Sequence, residues 1–419
     1  MPDFFDQLEQ REPAQREAEL MARLPGSIAR AQSAPGWANR LQGVVAQRIH
    51  SRAALAQLPV TRKADLYQMQ QAQHPFAGLN TTATHAMRRL FMSPGPIFDP
   101  QGQGDDWWRF ARALHALGVR RGHVIQNCFS YHFTPAAFMV EEGAKKIGAV
   151  VIPAGSGNTE LQVQAMAALR PDVYVGTPSF LRIIIEKARE LQADISSLKL
   201  ALLSAEALPP SLRLWFQQQG LQQVMQIYGT ADIGNIAYES ASNGAINPGM
   251  IIEEELIVEI VQPGTGDVVP QGEIGEVLVT SFNPDYPLIR FATGDLSQVL
   301  PGISACGRSN MRIAGWLGRA DQTTKVRGMF VHPSQVLEIS KRHPEVLKSR
   351  LVVSGQMSQD EMVLHCEVEN VEEGAMPNSA DAIIASIRDI TKLRGSVQFA
   401  SKGSLPNDGR LIVDLRSYD

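Results

Sequence analysis

The chain has 419 residues, of which 44% are hydrophobic and 6% aromatic, and its formal net charge is -4. A chain of this length can bury a large core and is expected to divide into two or more domains. The small negative charge provides no global basic field, so we expect neither nucleic acid nor membrane as a partner. The first residues are acidic and polar, and no run of about 18 apolar residues occurs, so we expect a cytoplasmic protein.

The three cysteines, Cys128, Cys306 and Cys366, are far apart in the sequence and show no CxxC spacing. This spacing argues against a disulfide framework and against an all-cysteine zinc site. We therefore expect reduced and mostly buried thiols.

Periodic apolar residues predict the order of elements in the first half of the chain. Residues 1 to 57 are predicted to form short helices, with Pro13 and the Pro25-Gly26 pair as breaks. Further along, helices alternate with strands, and this alternation predicts parallel βαβ units with both sheet faces covered. The predicted segments are a helix at 107–117, strand 123–129, helix 133–148, a short buried strand 149–153, helix 161–169, strand 172–178, helix 180–191, strand 199–205, a further helix and strand 223–229.

The pattern changes twice in the second half. Short alternating segments with Gly and Pro turns between 250 and 318 predict an antiparallel β subdomain. The order that follows, with strands and two helices, predicts a separate small α+β domain. The predicted fold class is therefore α/β, with a large N-terminal domain (1–319) of parallel sheets flanked by helices, and a small, mobile C-terminal domain (320–419).

Five ordered stretches carry a resemblance to a known family. They are VIPAGSGNTELQVQAM (151–166), VGTPSFL (175–181), IYGTADIG (227–234), PLIRFATGDL (287–296) and GRADQTTKVRGMFVHPSQVLEI (318–339). Together they resemble the phenylacetate-CoA ligase branch of the adenylate-forming superfamily, from about Leu58 to the C-terminus. Members of this branch join a carboxylic acid to AMP and then to coenzyme A. The resemblance implies ATP or AMP, Mg2+ and coenzyme A as cofactors, a small aromatic carboxylic acid as substrate, and allows a homodimer.

The ribose and hinge residues come from the last two stretches. Thr293-Gly294-Asp295 sits at the end of an apolar strand, where a carboxylate can accept two hydrogen bonds from ribose hydroxyls. A plain Asp-capped turn is the alternative. The resemblance assigns Arg319 to ribose or phosphate and Asp321 to the hinge, whereas a solvated salt bridge is the alternative for Arg319.

The adenine residues lie at the end of a predicted parallel strand, the edge at which such sheets bind ligands. The resemblance implies that Tyr228 stacks on adenine and that Gly229 and Thr230 belong to the same block. It also implies that Ser204, Ala205 and Glu206 form the neighbouring adenine-side loop. A half-buried aromatic residue without a ligand is the alternative for Tyr228.

The acyl pocket is assigned to the turn after the strand 123–129. Tyr131, His132 and Phe133 correspond there to the family's aromatic turn, and side chains of this kind favour an aryl or other apolar acid. His132 can equally be a surface loop residue.

The chain departs from the family at its phosphate loop. The Ser/Thr/Gly-rich loop is replaced by FMSPGPIFDP (91–100), in which Pro94 and Pro96 lack an N-H group and Asp99 adds a negative charge. Ser93 and Gly95 remain as phosphate candidates of this degenerate loop.

Two further departures concern catalysis. Arg410 stands where the family's lysine stabilises the adenylation transition state; it keeps the positive charge but not the compact ammonium, and Lys402 is a weaker substitute. Asp232 replaces the glutamate that helps hold magnesium and is therefore the metal candidate. Only Cys306 remains of a cysteine-rich stretch found in some members, so no zinc is expected.

These features lead to two functional hypotheses. The first is an ATP-dependent acyl-CoA ligase that forms an acyl-adenylate and transfers the acyl group to coenzyme A. The alternative is a non-catalytic or ATP-independent relative that binds AMP, an acyl-adenylate or an acyl-CoA. Transfer to a carrier protein or an amine is also open.

Overall fold

The computed structural model describes residues 4–93, 97–206, 208–322, 324–326, 329–355, 360–369, 377–407 and 410–416. The chain divides into two compact units. The first consists of Met1–Thr293 and Ser297–Trp316, and the second of Gly294–Leu296 and Leu317–Asp419. The three cysteines are buried and unpaired, as predicted. None of the described helices is long and apolar enough to cross a membrane.

The first unit contains most of the helices and strands. Its α-helices are α1 (Pro13–Ala31), α2 (Pro35–Arg40), α3 (Arg52–Leu55), α4 (Lys63–Ala72), α5 (Ala111–Leu117), α6 (Ala136–Ile147), α7 (Thr159–Leu169), α8 (Pro178–Glu190) and α9 (Pro210–Gln218). Its strands are β1 (Thr61–Arg62), β2 (Arg89–Ser93), β3 (Ile97–Gln101), β4 (Val124–Asn127), β5 (Val150–Ile152), β6 (Val173–Gly176), β7 (Leu200–Leu203), β8 (Gln223–Thr230), β9 (Gly234–Tyr238), β10 (Ala241–Ser242), β11 (Ala245–Ile246), β12 (Met250–Ile252), β13 (Leu256–Val261), β14 (Ile274–Ser281), β15 (Phe291–Leu300) and β16 (Arg312–Ile313).

One large mixed sheet organises these strands, in the order β13-β14-β15-β16-β12-β9-β8-β7-β6-β4-β5, with β1 beside β15. Strands β5, β4, β6, β7 and β8 are parallel to one another. The pairs β8 with β9, β9 with β12, β12 with β16, and β13 with β14 are antiparallel. The predicted α/β class is confirmed, with parallel strands in the middle of the chain and antiparallel pairs from β9 onward.

The N-terminal helix corrects one prediction. Helix α1 continues through Pro25, where the sequence suggested a break, and Pro13 stands in its first turn, where a missing N-H costs little. The helix buries an apolar face that includes Leu20, Leu24 and Ile28. Burying each such side chain contributes about 1.5–3 kcal/mol. The sum exceeds the cost of about 3 kcal/mol for a proline inside a helix.

Two smaller features, the burial of β5 and the start of α5, also differ from the predictions. Strand β5 lies at the edge of the large sheet, and Val150 is 56% exposed, so this strand is not buried as expected. Helix α5 begins at Ala111 and not at Trp107. The reason is Asp106, whose carboxylate accepts hydrogen bonds from the N-H groups of Phe110 and Ala111 and so fixes the start of the helix.

The second unit is a small α+β structure. Its elements are β17 (Thr324–Val326), β18 (Met329–Val331), α10 (Pro333–Arg342), β19 (Lys348–Ser354), β20 (Glu361–Val368), α11 (Pro377–Thr391), β21 (Ser396–Ser401) and β22 (Ile412–Asp414). Four of these strands form a sheet in the order β21-β20-β19-β22. Strand β22, which the sequence did not predict, runs parallel to β19. Val336, Leu351, Leu364 and Ile383 are among the buried residues of its core.

Candidate functional site

The candidate site of the first unit lies at one edge of the large sheet. Strands β4, β6, β7 and β8 are parallel neighbours, so their carboxyl ends meet at the same edge. Residues 131–133 follow β4, residues 204–206 follow β7, and residues 228–230 end β8. The structure therefore brings the predicted acyl-pocket and adenine segments to a single edge, the usual ligand-binding position of a parallel sheet.

Strained backbone is found in three loops at this edge. Phe133, Asn158 and Ala205 adopt left-handed conformations with φ values of 62°, 46° and 68°. Such a conformation costs residues such as Phe133 and Ala205 about 1–2 kcal/mol, whereas asparagine adopts it more readily. Strain of this kind accumulates at functional sites, where the surrounding structure holds it in place.

The adenine-side loop is fastened at both ends. Ser204 donates a hydrogen bond through Oγ to the carbonyl of Ile227 at 2.8 Å. Glu206 accepts two hydrogen bonds from Ser179, at 3.1 Å from its backbone N-H and at 2.8 Å from its hydroxyl. Ser179 lies in the first turn of α8, where the helix dipole favours a carboxylate. Glu206 is thus directed at a helix N-terminus, and Ala205 is held between two anchored neighbours.

Tyr228 is more buried than its predicted stacking role suggested. Only 7% of it is exposed, and its hydroxyl donates to Oγ1 of Thr293 at 3.2 Å. The next residue, Gly229, packs so closely on β9 that an added Cβ would lie 2.4 Å from the carbonyl oxygen of Gly234. Thr230 accepts a hydrogen bond from the N-H of Ile233. The end of β8 is therefore closely packed and hydrogen-bonded to its neighbours.

The predicted acyl-pocket residues differ in their surroundings. The hydroxyl of Tyr131 donates to Oε1 of Glu141 and accepts from Nδ2 of Asn127, each at 2.9 Å. Burial, followed by the neighbouring Glu141, raises the pKa of Tyr131. His132 and Phe133 are exposed on the surface, with their rings 4.5 Å apart, so the surface-loop alternative describes the position of His132.

A buried group of charges adjoins the end of β8. Lys63 donates through Nζ to Oδ2 of Asp232 at 2.5 Å. Asp99, which is 1% exposed, accepts from the hydroxyl of Ser93 at 2.9 Å. Burial, and then the charge of Asp232, raises the pKa of Asp99 well above its usual value. We call Lys63, Ser93, Asp99 and Asp232 the lysine–acid cluster.

Asp232 is a poor match for the predicted magnesium role. Its side chain has no exposed surface, and one of its oxygens already accepts from the ammonium of Lys63. Within the described residues, no group of three or more His, Cys, Asp or Glu could hold a metal ion. Mg2+ usually keeps several water ligands, for which a fully buried carboxylate leaves no room. The donor set at Asp232 therefore does not fit Mg2+.

The phosphate-loop prediction falls only partly on described residues. Gly95 lies outside them, whereas Ser93 ends β2 and is buried. Strands β2 and β3 form an antiparallel hairpin in which Phe91 is opposite Asp99 and Ser93 is opposite Ile97. The hydroxyl of Ser93 is directed at the carboxyl of Asp99.

The predicted ribose residues of the second unit lie together. Arg319 donates through Nη1 to Oδ1 of Asp295 at 3.1 Å, and the two backbones form an isolated antiparallel bridge. Gly294 has a φ of 77°, and a Cβ there would lie 2.8 Å from Nη2 of Arg319. The segment 293–295 lies inside β15, so the predicted position at a strand end was wrong. The left-handed glycine lets the strand continue past the arginine.

The remaining predicted residues of the second unit lie near one another in the fold of that unit. Asp321 lies in the short 3-10 helix Ala320–Gln322. Arg410 is exposed and comes two residues before β22. The N-H of Leu411, directly after Arg410, donates to Oε1 of Gln322 at 2.8 Å. The segment that carries Arg410 is therefore tied to the predicted hinge segment.

The sequence did not single out Lys63 as part of the site. Lys63 and Asp232 are 169 positions apart, and no local pattern links them. The one signal was its position close to Leu58, where the family resemblance starts.

Comparisons with known proteins agree with this arrangement. The AMP-binding enzyme family matches residues 148–283, which include β6, β7 and β8. Phenylacetate-coenzyme A ligase of Thermus thermophilus is 30% identical over 325 residues, covering 75% of this chain and 72% of the relative. The enzyme of the same name from Pseudomonas putida is 30% identical over 336 residues, covering 76% and 74%.

Solved structures support the same fold. A 2-hydroxyisobutyryl-CoA ligase, in complex with its acyl-AMP and CoA, superimposes with a TM-score of 0.84 over 97% of this chain and 93% of that one, at 21% identity. An anthranilate CoA ligase superimposes with a TM-score of 0.52 at 18% identity.

The fold, and the loops that meet at the carboxyl edge of the parallel strands, define an adenylate-forming enzyme of the AMP-binding class. This enzyme is an acid-thiol ligase. Within that class, the chain belongs to the phenylacetate-coenzyme A ligase family.

Proposed function

We propose that the protein is an ATP-dependent acyl-CoA ligase that activates a small aromatic carboxylic acid. The main support is the shared sheet edge, where the loops after β4 and β7 and the end of β8 meet. The relatives are named as phenylacetate-coenzyme A ligases, and the solved neighbours include complexes with an acyl-AMP and CoA.

The proposed reaction has two steps. In the first, a carboxylate oxygen attacks the α-phosphorus of ATP, the bond to the β-phosphate oxygen breaks, and pyrophosphate leaves. In the second, the sulfur of coenzyme A attacks the acyl carbon of the adenylate, AMP leaves, and the thiol proton passes to solvent. The first step needs no general base, because the substrate carboxylate is itself the nucleophile.

Each candidate residue has a role in this proposal. The loop 204–206 and Tyr228, with Gly229 and Thr230, bind the adenine side, and Asp295 with Arg319 binds the ribose. Arg410 steadies the charge that develops on the α-phosphate, since preorganised cations stabilise such charge. Tyr131 lines the acyl pocket, His132 and Phe133 lie exposed on the same turn, and Asp321 is the hinge. Mg2+ accompanies ATP as the counter-ion of its phosphates.

The experiment is pyrophosphate release with a panel of aryl acids, followed by detection of the acyl-CoA product. We expect turnover with at least one aryl acid that depends on both ATP and coenzyme A. A folded protein that releases no pyrophosphate with any acid would contradict the proposal.

The buried Asp99 favours the second candidate, an ATP-independent relative that binds AMP or an acyl-adenylate. A buried carboxyl stands beside the position of the phosphate loop, where the family has hydroxyls and N-H groups. Calorimetry separates the two functions: AMP binding without ATP binding supports this candidate, and comparable ATP binding contradicts it.

A further inference from the structure

The lysine–acid cluster contains a cation of its own. Lys63, the first residue of α4, lies with Nζ 2.5 Å from Oδ2 of Asp232. The lysine side chain is 25% exposed, whereas that of Asp232 has no exposed surface. Asp232 comes two residues after Thr230, the last residue of β8. The ammonium therefore stands beside the sheet edge, at the end of a side chain that is partly exposed.

The second carboxyl of the cluster is that of Asp99, which feels the charges of both Asp232 and Lys63. Asp99 is buried on β3, and its Oδ2 accepts from Ser93. The Oδ1 atoms of Asp99 and Asp232 are buried without a hydrogen-bond partner among the described residues. A water-carrying cation cannot reach these atoms, because both side chains are almost fully covered.

We propose that the ammonium of Lys63 takes the place of a metal ion at Asp232, so that Asp232 is the counter-ion of Lys63 and not a magnesium ligand. Lys63 is then the resident cation beside the nucleotide site, and AMP or an acyl-adenylate binds there without Mg2+. This inference rests on the proposed function, since it concerns the nucleotide site of that reaction.

The two residues have opposite effects on an anionic ligand. The ammonium attracts the phosphate of AMP, whereas the carboxylate beside it weakens that attraction. Loss of the lysine charge therefore weakens AMP binding. Neutralising Asp232 leaves AMP binding unchanged or makes it tighter. A magnesium ligand would behave differently, because its loss weakens nucleotide binding when the metal is present.

The first test needs no nucleotide. The full chain and its D232N variant are titrated with Mn2+, and free Mn2+ is followed by electron paramagnetic resonance. We expect no stoichiometric Mn2+ site that depends on Asp232. A site in the wild type that disappears in D232N would overturn the proposal, whatever the protein does with ATP.

The second test is calorimetric titration of AMP, in EDTA and again in excess Mg2+. We expect the K63M variant to bind AMP about tenfold more weakly, a change of 1.4 kcal/mol in binding free energy. D232N is expected to bind at least as tightly as the wild type in both buffers. D232N binding that is weakened in Mg2+ but unchanged in EDTA contradicts the inference.

Two further variants guard against misfolding. K63M leaves a buried carboxylate unpaired, which is costly, so the K63M/D232N double variant supplies a charge-balanced comparison and K63R keeps the positive charge. We expect the double variant to bind AMP at least as tightly as K63M but more weakly than the wild type, and to be more stable than K63M. If the wild type binds no AMP, the proposed function fails, and the Mn2+ titration alone decides the role of Asp232.

Discussion

Arg319 and Asp295 form an ion pair, with Nη1 of the arginine 3.1 Å from Oδ1 of the aspartate, and their backbones pair as an antiparallel bridge. The Asp295 side chain is 11% exposed and that of Arg319 is 41% exposed. The two residues were assigned to the nucleotide from separate sequence blocks, and the fold of the second unit joins them directly. An arginine beside a ribose-binding carboxylate can fix its orientation through a charge-assisted hydrogen bond.

Replacing Arg319 by alanine is expected to weaken AMP binding about tenfold to a hundredfold, since a hydrogen bond to a charged group contributes about 1.5–3 kcal/mol. Calorimetry with AMP measures the change. R319K keeps the positive charge but loses the planar guanidinium. Its AMP affinity is expected to lie between those of the wild type and R319A. An unchanged dissociation constant for R319A would mean that the pair is only a linker salt bridge.

Replacing Glu206 by alanine is expected to weaken AMP binding by up to about tenfold, because the hydrogen bonds that hold the strained Ala205 loop to α8 are lost. The S179A variant is the matched control, since it removes the hydroxyl that Glu206 contacts and leaves the carboxylate in place. If Glu206 acts through Ser179, both variants weaken AMP binding, and both raise KM for ATP. An effect of E206A with none in S179A would indicate that Glu206 contacts the nucleotide itself.

Stability is expected to depend on pH through Glu253. Burial raises the pKa of Glu253 from its ordinary value of 4.5 to about 7, although Arg112 and Arg109 oppose this shift. Between these two values the folded protein binds a proton that the unfolded chain has lost. The free energy of unfolding from this group therefore falls as pH rises from 4.5 to about 7, and it is constant above that range.

Denaturant titrations across this pH range measure the Glu253 contribution. In the E253Q variant, the decrease in the free energy of unfolding that Glu253 causes as pH rises is expected to be absent. The E255Q variant, changed at an exposed position, is expected to keep it. An E253Q curve parallel to that of the wild type would contradict the shifted pKa.

Glu9 is expected to be among the most sensitive stability positions. Its side chain is fully buried and accepts hydrogen bonds from the Tyr238 hydroxyl at 2.7 Å, from Nε of Arg308 at 2.6 Å and from the N-H of Phe5 at 2.7 Å. The E9A variant is expected to lower the free energy of unfolding by about 3–5 kcal/mol, because it removes the buried carboxylate that balances the charge of Arg308 and accepts from Tyr238.

The matched control for Glu9 is an exposed pair. Arg23 and Glu255 are 43% and 47% exposed, and E255A is expected to change stability by less than about 1 kcal/mol. Chemical denaturation measures the free energy of unfolding of both variants. Similar decreases in E9A and E255A would show that the buried Glu9 network contributes no more stability than an exposed ion pair.

Much of the central fold could be predicted from periodicity. Strands β4, β6, β7 and β8 are mostly buried runs separated by helices, a pattern that parallel strands with covered faces produce. The continuation of α1 through Pro25 could not be predicted, because local propensity favours a break and only burial against the rest of the unit outweighs it. Strand β22 is three residues long and has too few positions to show alternation.

The sequence by itself determined the α/β class and the family, because these depend on local runs and ordered blocks. Only the tertiary structure decided what the candidate site residues contact. It joined Glu206 to Ser179, Arg319 to Asp295, and Asp232 to Lys63. These partners lie far apart along the chain, and a contact between distant residues depends on how the elements pack, which no local pattern of residues records.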